Sequence, residues 1–411
     1  MAQRWGALVA FASRFFWTGF GCGNKHLFMA AERSTIAFLS SAFPGLDEPG
    51  ACLMVARYGV AELIECRGVM NVQTGDPITA DTTFRLASVT KQFTATLIMM
   101  LRRDGLLELD EPVCDLLPEL CELSAREITV RHLLQHTAGL LDYEDHVPQG
   151  QEVPLSDADV LAITAKHLRN YFRPGTQFRY SNTGYALLAC IIERLTEMPF
   201  SVALEYRIFK PLGMNNTVAR HATVRPEVPN RAIGYRRMPD GNYVECDQNL
   251  TSSVLGDGGI YCSANDYLKW DHAYWAGQVL PLDIVKEMTT PGRLLKKGTA
   301  TDTDRIWFPA DMNEKNVHVG QGESSSVGEA CYYAGGELLD RTCEIPYGMG
   351  WRLETNEENL RVAYHPGSST GFMHCARHLI DLGLTVLVLA NRTVGPSKEL
   401  ARDVEKHLLT A

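Results

Sequence analysis

Apolar residues recur at Val89, Phe93, Leu97, Met100 and Leu101, the three-to-four spacing of a buried helical stripe, and predict a core helix opening around Ser88. Arg102 and Arg103 suit its C-terminal turn and Gly105 the cap beyond it. Asp81, Thr82 and Thr83 supply turn chemistry just upstream. Before this helix, Glu32 to Ser41 reads as a short helix broken by Pro44-Gly45. Ala51 to Arg57 and Glu62 to Met70 read as two strands joined at Tyr58-Gly59. After it the pattern is helical: a short helix capped by Thr129, then Asp157 to Leu168, Gly184 to Leu195, Phe200 to Phe209, and one starting near Ser263. Order late in the chain resumes at Tyr347 to Trp351, which reads as a strand start. Strands follow at Val362 to His365, Gly371 to Leu379 and Leu384 to Asn391. Ser397 to Leu409 closes the chain as a helix with Leu400, Val404 and Leu408 on one face. The two ends thus carry strands with flanking helices, and the middle is largely helical.

Two stretches stand outside this pattern. Residues 1–29 form an N-terminal extension with a short apolar run, Trp5 to Ala12, interrupted at Arg14. The run is too short to span a membrane. An export signal, a lipid anchor on Cys22 and an incidental extension before Met29 all remain open. Gly292 to Arg341 is rich in Gly, Ser, Asp and Thr with little periodicity, and reads as a long polar surface loop that can cover a cleft.

Composition narrows the function classes. A chain of 411 residues buries a large core. Its net charge is -10 and it has no long basic run, which argues against a nucleic-acid partner. The 11 cysteines are odd in number and contain no C-x-x-C, which argues against a disulfide framework and a zinc site. Small buried thiols suit a reducing compartment, so a cytoplasmic location is expected, with export through the N-terminal segment as the alternative.

Ser88 and Lys91 are three residues apart on the predicted helix and share a face. A serine needs a neighbouring base to act as a nucleophile, and a desolvated lysine can hold the neutral amine that accepts its proton. The helix N-terminus favours negative charge beside Ser88. Alone, the pair also reads as a helix-opening serine beside an unrelated exposed lysine. Tyr180-Ser181-Asn182 lies in a turn after Pro174-Gly175. There the phenol of Tyr180 can act as a base or relay, and the Asn182 amide can orient a substrate carbonyl or the lysine. The competing reading is a packed tyrosine and an N-capping asparagine. His365-Pro366-Gly367-Ser368 sits at a predicted strand end. Gly367 permits close approach of an acyl group, and the Ser368 N–H can pair with that of Ser88 as an oxyanion hole. A core histidine at a strand-to-turn junction is the alternative.

These three elements, in this order, resemble the serine β-lactamase and penicillin-binding-protein superfamily, particularly its class C and esterase branch. Leu133 to Leu140, Pro174 to Tyr185, Pro211-Leu212-Gly213-Met214 and Gly256-Asp257-Gly258-Gly259 are similar to segments of that family, so the resemblance runs from about residue 30 to 410. It implies an α+β fold: an antiparallel sheet flanked by the terminal helices (30–112 and 345–411) with an inserted, mainly helical domain (113–344) and the active site between them. Ser88 would be the acylated nucleophile, Lys91 its proton acceptor and Tyr180 the base that also serves deacylation. Asn182 would hold the substrate, with His365 and Gly367 at the sheet edge beside the acyl group. Where the family's β-lactamases usually carry Lys-Thr-Gly, this chain has His365-Pro366-Gly367. Losing a charge-assisted contact to a substrate carboxylate costs about 1.5–3 kcal/mol. The expectation is therefore a metal-free, cofactor-free serine hydrolase of a small-molecule ester or amide. Acyl transfer, D-amino-acid peptidase or low β-lactamase activity, and a non-catalytic scaffold are the alternatives. The natural acyl group and the oligomeric state are not legible.

Overall fold

A computed structural model describes residues 33–121, 126–167, 170–220, 227–294 and 344–410. The N-terminal extension and almost all of the predicted polar loop lie outside the described residues.

A six-stranded antiparallel sheet organises the molecule. Its strands are β1 (Ala51–Arg57), β2 (Val60–Arg67), β3 (Arg352–Thr355), β4 (Arg361–Ser369), β5 (Phe372–Leu379) and β6 (Leu384–Ala390), in the spatial order β3-β4-β5-β6-β1-β2. The two ends of the chain meet where β1 pairs with β6, Leu53 opposite Val388. Side chains alternate between the faces, so Leu53, Val55, Val386 and Val388 point one way and Cys52, Met54, Leu387 and Leu389 the other. Both faces are covered, which is why β1 and β6 read as unbroken apolar runs. The first face packs under helix α1 (33–42) and the C-terminal helix through Leu39, Leu400, Ala401 and Val404.

The second face packs on the larger core. That core contains α2 (Lys91–Arg103), α4 (Asn182–Thr196) and α5 (Ala264–Trp275), with Phe93 stacked on Trp270 at 4.2 Å between ring centroids. Helix α3 (Asp157–Lys166), between α2 and α4 in the chain, packs on α4, and its N-terminus carries a reciprocal Ser156–Asp159 capping box. The closing helix, α6 (Ser397–Thr410), is tied to the sheet by buried Arg377, which bonds Glu405 at 2.6 Å and Glu354 at 2.8 Å.

Three local departures from the sequence expectation concern the site. Ser88 lies not in the α-helix but in a 3-10 turn, Ala87–Thr90, that precedes α2. Ala87 has φ +48°, a left-handed conformation that interrupts the approach to the helix. Helix α4 begins at Asn182, earlier than its apolar pattern, because extended Ser181 takes the N-cap position. The His365–Ser368 segment is not a strand end: β4 continues to Ser369. Pairing with β3 covers only Arg361 to Tyr364, so among the described residues β4 has β5 as its only strand neighbour from His365 onward, which accommodates Pro366.

Candidate active site

The turn that carries Ser88 is held from three directions. Leu86 N–H donates to the Ile260 carbonyl, and the short strand Phe84–Arg85 pairs with Ile260–Cys262. On the sheet side, His374 Nε2 donates to the Arg85 carbonyl at 2.7 Å while its Nδ1 accepts from Ala390 N–H at 3.1 Å. Burial pushes the His374 imidazole down to about 4, so it is neutral at physiological pH. Gly367 then lets β4 lie directly against the turn. A Cβ there would sit 2.3 Å from the Leu86 carbonyl oxygen.

Lys91 is fully buried at the start of α2 and has three contacts. Its Nζ lies 3.2 Å from Ser88 Oγ, 2.9 Å from Asn182 Oδ1 and 2.8 Å from the Asp257 carbonyl oxygen. The Asp257 carbonyl can only accept. The Asn182 amide orientation follows from its other contact, because Nδ2 donates to Glu144 Oε1 at 3.1 Å. Two obligate acceptors thus consume two Nζ hydrogens. The third tetrahedral position faces Ser88 as an ammonium hydrogen or, in the neutral amine, as the lone pair that accepts the serine proton.

The Asp257 carbonyl is presented by a built loop. Asp157 accepts from Leu255 N–H and Gly256 N–H, and Thr94 Oγ1 donates to the Gly256 carbonyl at 2.7 Å. Burial lifts the Asp157 carboxyl to about 8 against the pull of those two N–H donors. The Asp257 carboxyl accepts from Tyr143 Oη at 3.1 Å; burial lifts it to about 6, opposed by the Lys91 charge.

Tyr180 brings its ring face to the lysine, with Lys91 Nζ 5.0 Å from the ring centroid. Its buried hydroxyl has no hydrogen-bond partner among the described residues. His136 fixes the segment that carries it. The His136 carbonyl accepts from Arg179 N–H at 3.0 Å, its Nδ1 accepts from Ser181 N–H at 3.1 Å, and its ring packs 4.3 Å from the Tyr180 ring. Burial and the charges of Lys91 and Arg352 hold the His136 imidazole well below its ordinary range.

His365 is buried and turned inward. Its Nδ1 lies 2.7 Å from the Pro366 carbonyl, which can only accept, so Nδ1 carries the proton and Nε2 accepts from Tyr347 Oη at 3.0 Å. Burial first, then Arg352 and Lys91, keep it neutral. Its ring centroid is 6.0 Å from that of Tyr180. Ser368 is exposed on β4 opposite Met373. The structure therefore bonds Ser88, Lys91 and Asn182 directly and stacks Tyr180 beside them. His365 acts on Tyr347 rather than opening into the cleft. Sequence reasoning did not single out His136, Asp257, Glu144, His374 or Arg352. Only His136 and Asp257 carried a signal, inside segments quoted for their family likeness.

A family model described as Beta-lactamase matches residues 39–410. Penicillin-binding protein 4* of Bacillus subtilis (strain 168) is 26% identical over 361 residues, covering 84% of this chain and 66% of that protein. Esterase EstB of Burkholderia gladioli is 30% identical over 256 residues, covering 54% of this chain and 64% of its own. The chain thus spans just under two thirds of the length of these two curated relatives. Among solved structures, the octameric penicillin-binding protein homologue from Pyrococcus abyssi superposes with a TM-score of 0.71 at 23% identity, covering 92% of this chain and 77% of that one, a likeness of fold.

Proposed function

This chain belongs to the beta-lactamase family, and from that membership we propose that it is a serine hydrolase that cleaves an ester or small amide through a covalent acyl-serine. The contact that carries the reading is Lys91 Nζ to Ser88 Oγ at 3.2 Å, with the amine's remaining hydrogens already committed. Lys91 takes the Ser88 proton as Oγ attacks the carbonyl carbon. The N–H groups of Ser88 and Ser368 receive the oxyanion, and Tyr180 returns a proton to the leaving group and activates water for deacylation. Asn182 positions both Lys91 and substrate, and Gly367 lets β4 lie against the turn that carries Ser88. An esterase and a D-aminopeptidase among the relatives support this substrate range. The eight free cysteines among the described residues support a reducing, cytoplasmic compartment. No helix among the described residues is long and apolar enough to cross a membrane.

Turnover of nitrophenyl esters by the native chain and by Ser88→Ala tests the proposal, with mass spectrometry of the Ser88 peptide during turnover. The expected result is an acyl adduct on Ser88 and a rate loss of about 10³-fold or more in the variant. Turnover that is unaffected by Ser88→Ala overturns it.

A further inference from the structure

Two of the free cysteines meet away from the active site. Cys52 on β1 and Cys66 on β2 are directly opposed in the ladder, and their Sγ atoms lie 3.1 Å apart. Opposed residues of an antiparallel pair have Cα atoms about 4.5–5.5 Å apart. That spacing falls inside the window of about 4.4–6.8 Å in which a disulfide closes. A bond between these sulfurs therefore asks for side-chain rotation and no movement of the backbone. Cys121 offers a comparison within the same molecule: it is exposed, and its thiol donates to the Cys114 carbonyl at 3.3 Å.

The register that opposes the two thiols is fixed at both ends of the hairpin. Near the turn Arg57 pairs with Glu62 at 2.9 Å, and at the far end the Arg67 guanidinium donates to the carbonyls of Phe43 and Pro44. Both sulfurs lie on the face that packs on the larger core, with Met54 and Ile64. Cys52 is fully buried there, whereas Cys66 is only partly buried, because β2 is the outermost strand of the sheet. An oxidant arriving from solvent meets Cys66 first, with Cys52 in contact behind it. The contact with Cys66, and then burial, hold the Cys52 thiol well above its ordinary range, so it rests protonated. An accessible thiol backed by a second one is the arrangement that turns a first oxidation into a disulfide.

We propose that Cys52 and Cys66 form a modification site, at which a peroxide converts the pair reversibly into a cross-strand disulfide that fastens the edge strand β2 to β1. The Cys66 thiolate attacks one peroxide oxygen. The O–O bond breaks, Cys66 becomes a sulfenic acid, and the leaving hydroxide takes up the thiol's proton as water. The Cys52 sulfur then attacks the Cys66 sulfur. The S–S bond forms as the S–O bond breaks, and hydroxide leaves with the Cys52 proton as a second water. Two thiols and one peroxide give one disulfide and two waters, with two electrons passing from sulfur to oxygen. A dithiol reductant restores the pair by exchange. Neither Ser88 nor Lys91 takes part, so Ser88→Ala should cross-link as the native chain does.

The test treats the native chain with a small molar excess of hydrogen peroxide, alkylates the remaining thiols after unfolding, and maps the peptides by mass spectrometry. The expected product is a linked Cys52–Cys66 peptide, two hydrogens lighter than its separate halves and released by dithiothreitol. Cys66→Ser should give no link. Cys52→Ser should leave Cys66 as a sulfenic acid that dimedone labels. Amide hydrogen exchange across β2 should slow about tenfold on oxidation, because the link closes a loop over a sequence separation of 14 residues. Recovery of Cys52 and Cys66 as free thiols under conditions that fully oxidise Cys121 overturns the proposal. So does a linked peptide without any slowing of exchange, which would leave β2 unfastened. Peptide mapping and exchange on the native chain need no variant, so they decide even where a serine variant does not fold.

Discussion

Asn182 accepts from Lys91 at 2.9 Å, and the direction of that bond is set by Glu144, which takes the other end of the same amide. Replacing Asn182 by Ala leaves Nζ free to swing from its alignment with Ser88 Oγ. Misplacement on this scale costs about 10²-fold in rate. Nitrophenyl-ester kinetics on Asn182→Ala should show that loss chiefly in kcat, with a melting temperature close to the parent's. A kcat within twofold of the parent would remove Asn182 from the alignment of the lysine.

His136 grips the Tyr180 segment at two points, through its carbonyl and through Nδ1. In His136→Ala the Nδ1 acceptor and the ring packing are lost, while the carbonyl bond remains. The part-buried Ser181 N–H then lacks a protein partner, a cost toward the lower end of about 1–3 kcal/mol. Activity should fall by more than that stability loss explains, since Tyr180 is no longer fixed. His136→Asn, which can restore a side-chain acceptor, should recover part of the rate. A variant with lowered stability but full activity would show that His136 supports the fold alone.

The pH dependence of stability follows from His374. In the unfolded chain its imidazole takes a proton near 6.5. In the folded chain burial delays this to about 4. Between those values the unfolded state binds more protons, so this group's contribution is fully present above about 6.5 and is lost as pH falls toward 4. The loss amounts to about 3 kcal/mol for the one side chain. Raised carboxyls such as Asp157 act in the opposite sense, since they favour the folded state at low pH. Comparing the parent with His374→Gln isolates the histidine. Urea unfolding at pH 7, 5.5 and 4 should show the difference between the two shifting steadily against the parent toward pH 4. A constant difference would mean that the imidazole takes up its proton over the same pH range in the folded and unfolded chain.

Arg377 lies buried between Glu405 and Glu354. Arg377→Ala strands the almost fully buried Glu405 carboxylate, while Glu354 keeps Arg402, and should destabilise the protein by about 3–5 kcal/mol. Adding Glu405→Gln should recover part of the loss, because one stranded charge is removed. Denaturant melts on the single and double variants decide this, and additive losses would contradict the coupling.

Periodicity made the helices and central strands legible, since both report burial directly: α2 and α4 lie where the apolar stripes of Val89–Leu101 and Gly184–Leu195 place them, within a few residues. The contact between Ser88 and Lys91 was legible from spacing. What was not legible depends on contacts between distant backbone groups. Lys91 is held by the carbonyl of Asp257, and a carbonyl leaves no trace in residue identity. His374 reads as one polar residue in an apolar strand, and only the register of β5 brings it to Arg85. The continuation of β4 past Pro366 escaped notice because a proline usually ends a strand, except where only one edge is paired.

Gly367 lets β4 close onto the Leu86 carbonyl, two residues ahead of Ser88. Ser88 precedes β4 in the chain by most of the molecule's core, so the serine leaves the ribosome well before the strand that completes its surroundings. On the hydrolase reading proposed above, a nascent chain should stay inert toward esters and acylating agents until β4 docks on the turn.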